Sequence, residues 1–302
     1  MSIIGKNPLY KEGPIMTTAH KLIVAMLILI TSGSMSLFYS IEGAEPINFV
    51  VIYSGGPDTG AEGKNIITQF MQSLSKLTGI QKERFRGSYF NQIDEAMKYL
   101  QQNKNSFIMG SIGFYLAHRQ SMKLVPLATV KLQGNDKDQF YCIVKKGSYS
   151  SLSDLKGKVL AGNVLFEDKK FINAMIFNNE LDVSSYFILK PTPRPLSAVR
   201  KLTQGQYDAV LLNHIQYHSL EKLDLFKKIS VVHRSPKMPA LGLMMVQTDR
   251  NASLKDKIVK AVTRMCGQED TKAACKNFGI DGFAAIEPGA LNNEITKYES
   301  DR

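Results

Sequence analysis

The apolar run INFVVIY at residues 47–53 ends abruptly in Ser54, Gly55, Gly56 and Pro57. A run so short and so nearly continuously apolar suits a strand covered on both faces, as in a parallel sheet. After the turn, apolar residues recur at Ile66, Phe70, Leu74 and Leu77, and again at Ile67 and Met71, with Gly79 as a stop. That is the spacing of a helix face, predicted over 61–77. Strand, glycine-rich turn and helix in this order form one unit of parallel α/β architecture.

The unit recurs. Residues 91–100 are helical by Ile93, Met97 and Leu100. A short strand at 107–109 leads through Gly110 and Ser111 into a helix at 114–120. Strands are expected at 125–132 and 140–144. A second series starts at Ser153, with strands at 158–161, 186–189, 209–212, 229–232 and 241–246. Its helices are expected at 168–178 and 195–203, and a last helix is capped by Ser253 with Asp256 in a capping box. Two such series, joined by extended segments near 131–140 and 233–241, predict two α/β lobes with two hinge crossings. Lobe 1 is expected over 47–134 and 240–288, lobe 2 over 138–234, and a C-terminal tail over 289–302. Ligands of open α/β sheets bind beyond the carboxyl ends of the strands, which in a two-lobe protein is the cleft.

The N-terminus sets the compartment. Residues 22–30 are nine consecutive apolar residues preceded by Lys21 and followed by a small-residue stretch. This is the layout of a secretory signal peptide, expected over 1–44 with cleavage near Gly43 and Ala44. An uncleaved anchor is the other reading, because the apolar stretch extends towards Tyr39. A start at Met16 would give a more compact leader than the fifteen residues before it, which include Pro8 and Pro14. The chain is expected to be periplasmic.

Hydrophobic residues make up 44% and charged residues 22% of the 302, a globular composition. Lys and Arg number 38 against 27 Asp and Glu, a net charge of +11. Aromatic and basic residues are not interleaved in any stretch, so no nucleic acid partner is expected. Three cysteines are present. Cys266 and Cys275 lie in two short helical stretches that could fold back on each other, and a disulfide is expected between them, with two buried free thiols as the alternative. Cys142 sits in an apolar strand and reads as core. His214 and His218 share a helix face, but no third ligand accompanies them and no C-x-x-C occurs, so neither metal nor cofactor is expected. The loop 55–60 lacks the Gly-Lys-Ser/Thr ending of a phosphate loop, and no nucleophile elbow is present.

Four stretches carry a resemblance. Tyr89 is followed by a helix and Ile108, Met109, Gly110 and Ser111. Residues 151–158 read SLSDLKGK. Ala198 and Val199 precede GQYDA at 205–209. Residues 235–239 read SPKMP, followed near the C-terminus by Phe278-Gly279-Ile280 and Gly282-Phe283. In this order, over about 47–287, the chain resembles the periplasmic substrate-binding proteins of phosphate, phosphite and phosphonate ABC transporters. The resemblance implies a type II periplasmic binding protein fold, a small polar or anionic solute, and an ABC transporter permease as partner. It places Tyr89 in the cleft, although a half-buried packing role is the plain reading of that residue.

The chain departs from the family's pattern. Where the phosphonate binders carry a hydroxyl cluster at the start of a helix, this sequence reads Asn163, Val164, Leu165, Phe166, Glu167 and Asp168, and two carboxylates there oppose an anion. The family's following His is replaced in the stretch Thr192, Pro193, Arg194 and Pro195. Arg194 offers a different anion contact, or is an exposed loop residue. Ser54, Gly55, Ser111 and Asn213 end strands where the cleft is expected. The candidate ligand-binding set is therefore Ser54, Gly55, Tyr89, Ser111, Asn163, Arg194 and Asn213.

The expected function is capture of a small solute in the interlobe cleft for an ABC transporter, with membrane contact only through the transporter or an uncleaved N-terminal segment. Alternatives are a membrane-linked sensory or adaptor protein, or an enzyme on the same fold, for which Cys142 beside a cleft histidine is the candidate nucleophile.

Overall fold

The computed structural model describes residues 45–56, 60–132 and 134–300. The expected signal peptide, the Met16 start and the cleavage site lie outside the described residues.

Two sheets organise the chain. The larger has six strands in the order Gly282–Ala285, Leu124–Lys131, Leu241–Val246, Ser106–Met109, Ile47–Ile52 and Phe85–Phe90. Ile47–Ile52 lies parallel to both neighbours, with Val50 opposite Ile108 on one side and Ser88 on the other. All six of its residues are buried. Successive side chains point to opposite faces. Ile47, Phe49 and Val51 therefore join one apolar cluster with Phe70 and Leu74, while Val50 and Ile52 join another with Phe114. This is why the run carries no polar alternation. The helix Gly60–Thr78 covers the first of these faces, together with Asp249–Met265.

The second sheet has five strands in the order Ile229–Arg234, Tyr141–Lys145, Ala209–Leu212, Val159–Gly162 and Ile188–Pro191. Its own helix, Pro195–Thr203, buries Ala198, Val199 and Leu202 against Val210 and Leu212. The chain passes between the sheets twice. The two passages pair with each other as Lys137–Asp138 against Met238–Pro239, antiparallel, with Met238 opposite Asp138. Ser235 ties them further, its Oγ accepting from Phe140 N at 2.9 Å and its carbonyl from Gln139 Nε2 at 2.8 Å. The architecture is the two-lobe type II periplasmic binding protein fold with two hinge crossings.

Several elements differ from the sequence reading. Phe85–Phe90 is an edge strand the sequence reading lacked, so Tyr89 lies within a strand, followed as expected by a helix, Ile93–Gln102. The helix expected at 168–178 is one α-turn, Lys169–Phe171, running into a π-helix, Ile172–Ile176. The chain then turns through Asn178 and Asn179, both at positive φ. The last long helix is capped by Thr248, whose Oγ1 accepts from Asn251 N at 3.1 Å, so Ser253 lies inside it rather than at its start. The C-terminal segment carries the helix Asn292–Glu299, which bridges the lobes. Gln120 Nε2 donates to Glu299 Oε1 at 2.8 Å on the first-lobe side, and Tyr298 Oη donates to Asp168 Oδ2 at 2.9 Å on the second-lobe side.

Cys266 and Cys275 are joined by a disulfide with Cα atoms 5.5 Å apart, fastening the end of Asp249–Met265 to the short helix Lys272–Asn277. Closing so short a loop removes unfolded-state entropy equivalent to about 2.5 kcal/mol. Cys266→Ser with Cys275→Ser should therefore lower the melting temperature by roughly 5–10 °C, read by calorimetry with and without reductant. Equal melting of the oxidised protein and the double variant would contradict this.

Candidate functional site

The first strand ends at Ile52, so Tyr53, Ser54 and Gly55 lie beyond its carboxyl end, where an open parallel sheet receives ligands. A cavity of about 1040 Å³ opens there. Ser54, Gly55, Gly56, Asn91, Asp94 and His118 line it from the first lobe, Phe166, Glu167, Asp168, Lys169 and Arg194 from the second, and Tyr298 from the bridging helix.

Direct contacts cross between the lobes at its inner wall. Ser111 caps the helix Ile112–His118, its Oγ accepting from Phe114 N at 3.0 Å. The same hydroxyl donates to Glu167 Oε2 at 3.0 Å. Close approach here needs a glycine: a Cβ on Gly113 would stand 2.6 Å from Glu167 Oε2 and 3.0 Å from the Phe171 ring. Gly55, at φ +64°, is likewise covered by the Phe166 ring, which leaves no space for a side chain. Tyr53 hydrogen-bonds through its phenol with Gln216 and Asn163. Gln216 Nε2 donates to Asn163 Oδ1 at 2.9 Å. Gln216 is itself held by Asn213 in a reciprocal capping box at the start of His214–Ser219.

The electrostatics of this wall are acidic. Burial pushes the Glu167 carboxyl up to about 7, against the pull of the Ser111 hydrogen bond; Asp168 and Asp138 add to the rise and Lys169 opposes it. Asp138, in the hinge crossing, is raised by burial to about 6 although His214 N and Gln139 N donate to it at 3.1 and 2.8 Å. The cations stand apart from both. Lys169 directs its ammonium to the Leu165 carbonyl. Burial lowers His118, which favours its neutral form. Arg194 is exposed at the rim.

Of the residues singled out from the sequence, Ser54, Gly55 and Arg194 face the cavity, and Ser111 and Asn163 stand behind it in the cross-lobe contacts. Asn213 is engaged as a helix cap. Tyr89 lines a separate depression of about 770 Å³ beside the helix Gly60–Thr78, together with Ile67 and Met71. Sequence reasoning did not single out Tyr53, Asp138, Phe166, Gln216 or Tyr298. It noted Glu167 and Asp168 only as opposing an anion. Cys142 is wholly buried in its strand, and burial pushes its thiol up to about 12, which keeps it protonated and unreactive.

The raised carboxyls fix the sign of a pH dependence. The folded chain keeps the Glu167 proton between the ordinary glutamate range and about pH 7, where the unfolded chain has lost it, so folded stability falls as pH rises through that window. Asp138 adds a decline that ends near pH 6. Between pH 5 and pH 8 the wild type should lose about 2 kcal/mol more than Glu167→Gln, after allowing for solvent screening in the cleft. Urea unfolding midpoints at the two pH values measure this, and parallel profiles for the two proteins would contradict it.

The comparisons with known proteins bear on this geometry. A family model described as "ABC transporter, phosphonate, periplasmic substrate-binding protein" matches residues 58–290. No curated protein sequence matches. Among solved structures, a Xanthomonas citri protein bound to ATP is 15% identical, with a TM-score of 0.67 over 84% of this chain and 97% of that one. A binding protein component of an ABC phosphonate transporter from Pseudomonas aeruginosa is 15% identical, with a TM-score of 0.63 over 84% and 85%. PhnD1 from Prochlorococcus marinus, in complex with methylphosphonate, is 12% identical, with a TM-score of 0.60 over 84% and 97%. These likenesses agree with the fold, and the family match covers residues of both lobes. The chain belongs to the periplasmic substrate-binding protein family of phosphonate ABC transporters.

Proposed function

We propose that the chain is an exported capture protein that closes its lobes on a small polar solute and presents it to the permease of an ABC transporter. One observation carries the reading: a cavity of about 1040 Å³ has walls from both lobes, in a chain whose two crossings pair with each other and can act as one hinge. Such a cleft buries a solute by domain closure. Ser54, Gly55 and Arg194 are assigned to the solute, and Ser111 and Asn163 to the wall behind it. Tyr89 and Asn213 support the strand ends that carry them. The permease would read the outer rims of both lobes, whose spacing changes on closure. Residues 1–44 would direct export to the periplasm, with membrane contact through the transporter or an uncleaved leader. The reading requires binding without chemistry, and the inert state of Cys142 is consistent with it.

The test is to identify the solute that copurifies, by native mass spectrometry, and then to titrate it back into stripped protein. At a hundredfold excess over the dissociation constant, binding to the folded state adds about 2.7 kcal/mol. The melting temperature should then rise by roughly 5–10 °C, with a smaller radius of gyration in solution scattering. A protein that neither retains a solute nor shifts with any phosphate, phosphonate, sulfonate, carboxylate or amine would refute the proposal.

A further inference from the structure

We propose that Glu167 sets the charge of the solute, so that the cleft accepts a molecule presenting an ammonium or guanidinium group and turns away a free dianion. The inference deepens the capture reading and rests on it. Its first support is position. The Glu167 carboxyl is on the wall of the cavity, yet it is held by a hydroxyl, Ser111, and not by a cation. Of the basic groups that line the same cavity, Lys169 is turned to a backbone carbonyl, Arg194 is exposed at the rim and His118 is favoured neutral, while Lys170 outside the lining stands over the Tyr298 ring. A carboxylate in a partly desolvated site without a counter-ion is costly, and a ligand that supplies the missing positive charge is stabilised by the same low dielectric.

The second support is aromatic and independent of the carboxyl. Phe166 remains 40% exposed on the cavity wall, a large apolar ring left facing the cleft. Tyr298 lines the same space, and Lys170 already holds its ammonium 5.3 Å from that ring centre. Aromatic faces attract cations through their quadrupole, most strongly where water is excluded. The Tyr298 ring is thus taken by Lys170, and the Phe166 ring with the Glu167 carboxylate forms the receptor for a hydrogen-bond-donating cation.

An anion meets the opposite field. Asp94, Glu167 and Asp168 line the cavity against Lys169 and Arg194 as permanent cations. Asp168 Oδ2 already accepts from Phe171 N and the Tyr298 hydroxyl, each at 2.9 Å, and Asp94 is exposed to solvent, so the charge of Glu167 is the one that water screens least in the cleft. A phosphonate oxygen seeking the Ser111 hydroxyl would have to displace Glu167 or lie against it.

The experiment measures binding of ethanolamine and putrescine, and of methylphosphonate and inorganic phosphate, at pH 8 by calorimetry and thermal shift. Wild type, Glu167→Gln and Glu167→Asp are compared, the last keeping the charge should the first fold poorly. Expected is binding of at least one amine to the wild type, weakened tenfold or more by Glu167→Gln and less by Glu167→Asp, with no shift from either anion. Methylphosphonate or phosphate binding the wild type as tightly as the amines would overturn the charge assignment and leave solute capture standing. So would amine affinity unchanged in a folded Glu167→Gln. Binding of none of the four probes overturns the charge assignment, and capture is then judged by the copurified solute alone.

Discussion

Two lobes cannot close on each other without deciding what to do with the polar groups that meet between them. Here the meeting point is the Ser111 hydroxyl of one lobe against the Glu167 carboxyl of the other, 3.0 Å apart. Apolar contacts favour the approach: Phe171 lies against Gly113 and Phe166 covers Gly55. One buried apolar cluster consequently runs from Val50 and Ile108 in the first lobe to Leu160 and Leu211 in the second. The carboxyl opposes the approach once ionised, because a hydroxyl is a weak substitute for a cation. The closed arrangement is thus a balance between dispersion and an uncompensated charge. Such a balance suits a hinge that must reopen, since a cleft sealed by apolar packing alone would hold itself shut.

The crossings share in that balance. Asp138 belongs to the hinge pair with Met238, yet its carboxyl reaches into the second lobe to accept from His214 N. His214 opens the helix whose third residue, Gln216, bonds Asn163 and Tyr53. Hinge, helix cap and cleft wall are therefore linked through a continuous set of hydrogen bonds. The helix Asn292–Glu299 adds a second bridge beside the cavity, bonded to Gln120 in one lobe and Asp168 in the other. Movement of the lobes must strain or break one of these links, which ties the geometry of the site to the state of the hinge.

Much of this fold was legible because its helices follow a period and its central strands are short apolar runs. Pro195–Thr203 falls where its period puts it, with Ala198, Val199 and Leu202 buried, and Ala209–Leu212 and Leu241–Val246 fall where the apolar runs put them, buried at every residue. Phe85–Phe90 was not legible: FRGSYF is an edge strand with one buried residue, and its polar and glycine content reads as a loop. The π-helix Ile172–Ile176 is apolar but for Asn173, and a single turn of it is too short for periodicity to separate it from an α-helix. In the site, Ser54 and Gly55 follow from the rule that strand ends and the turns after them face the cleft, and Arg194 from the loop where the family's histidine is replaced. Tyr53 with Gln216, and Asp168 with Tyr298, are pairs separated by more than a hundred residues. Only the tertiary fold brings them together, and no local pattern marks either partner.

Net charge illustrates the same limit from the other direction. A chain with 38 basic residues against 27 acidic ones invites the expectation of an anionic ligand. The surface lysines that make up this excess act through water and salt, and their field fades within about 8–10 Å. Glu167 acts inside the cleft, where screening is weak and one carboxyl outweighs a distant surplus of ammonium groups. A positive exterior can still raise the rate at which anions arrive without making them welcome at the site. The charge that a solute must carry is therefore set by the few groups within hydrogen-bond reach of it, and in this chain the foremost of them is acidic.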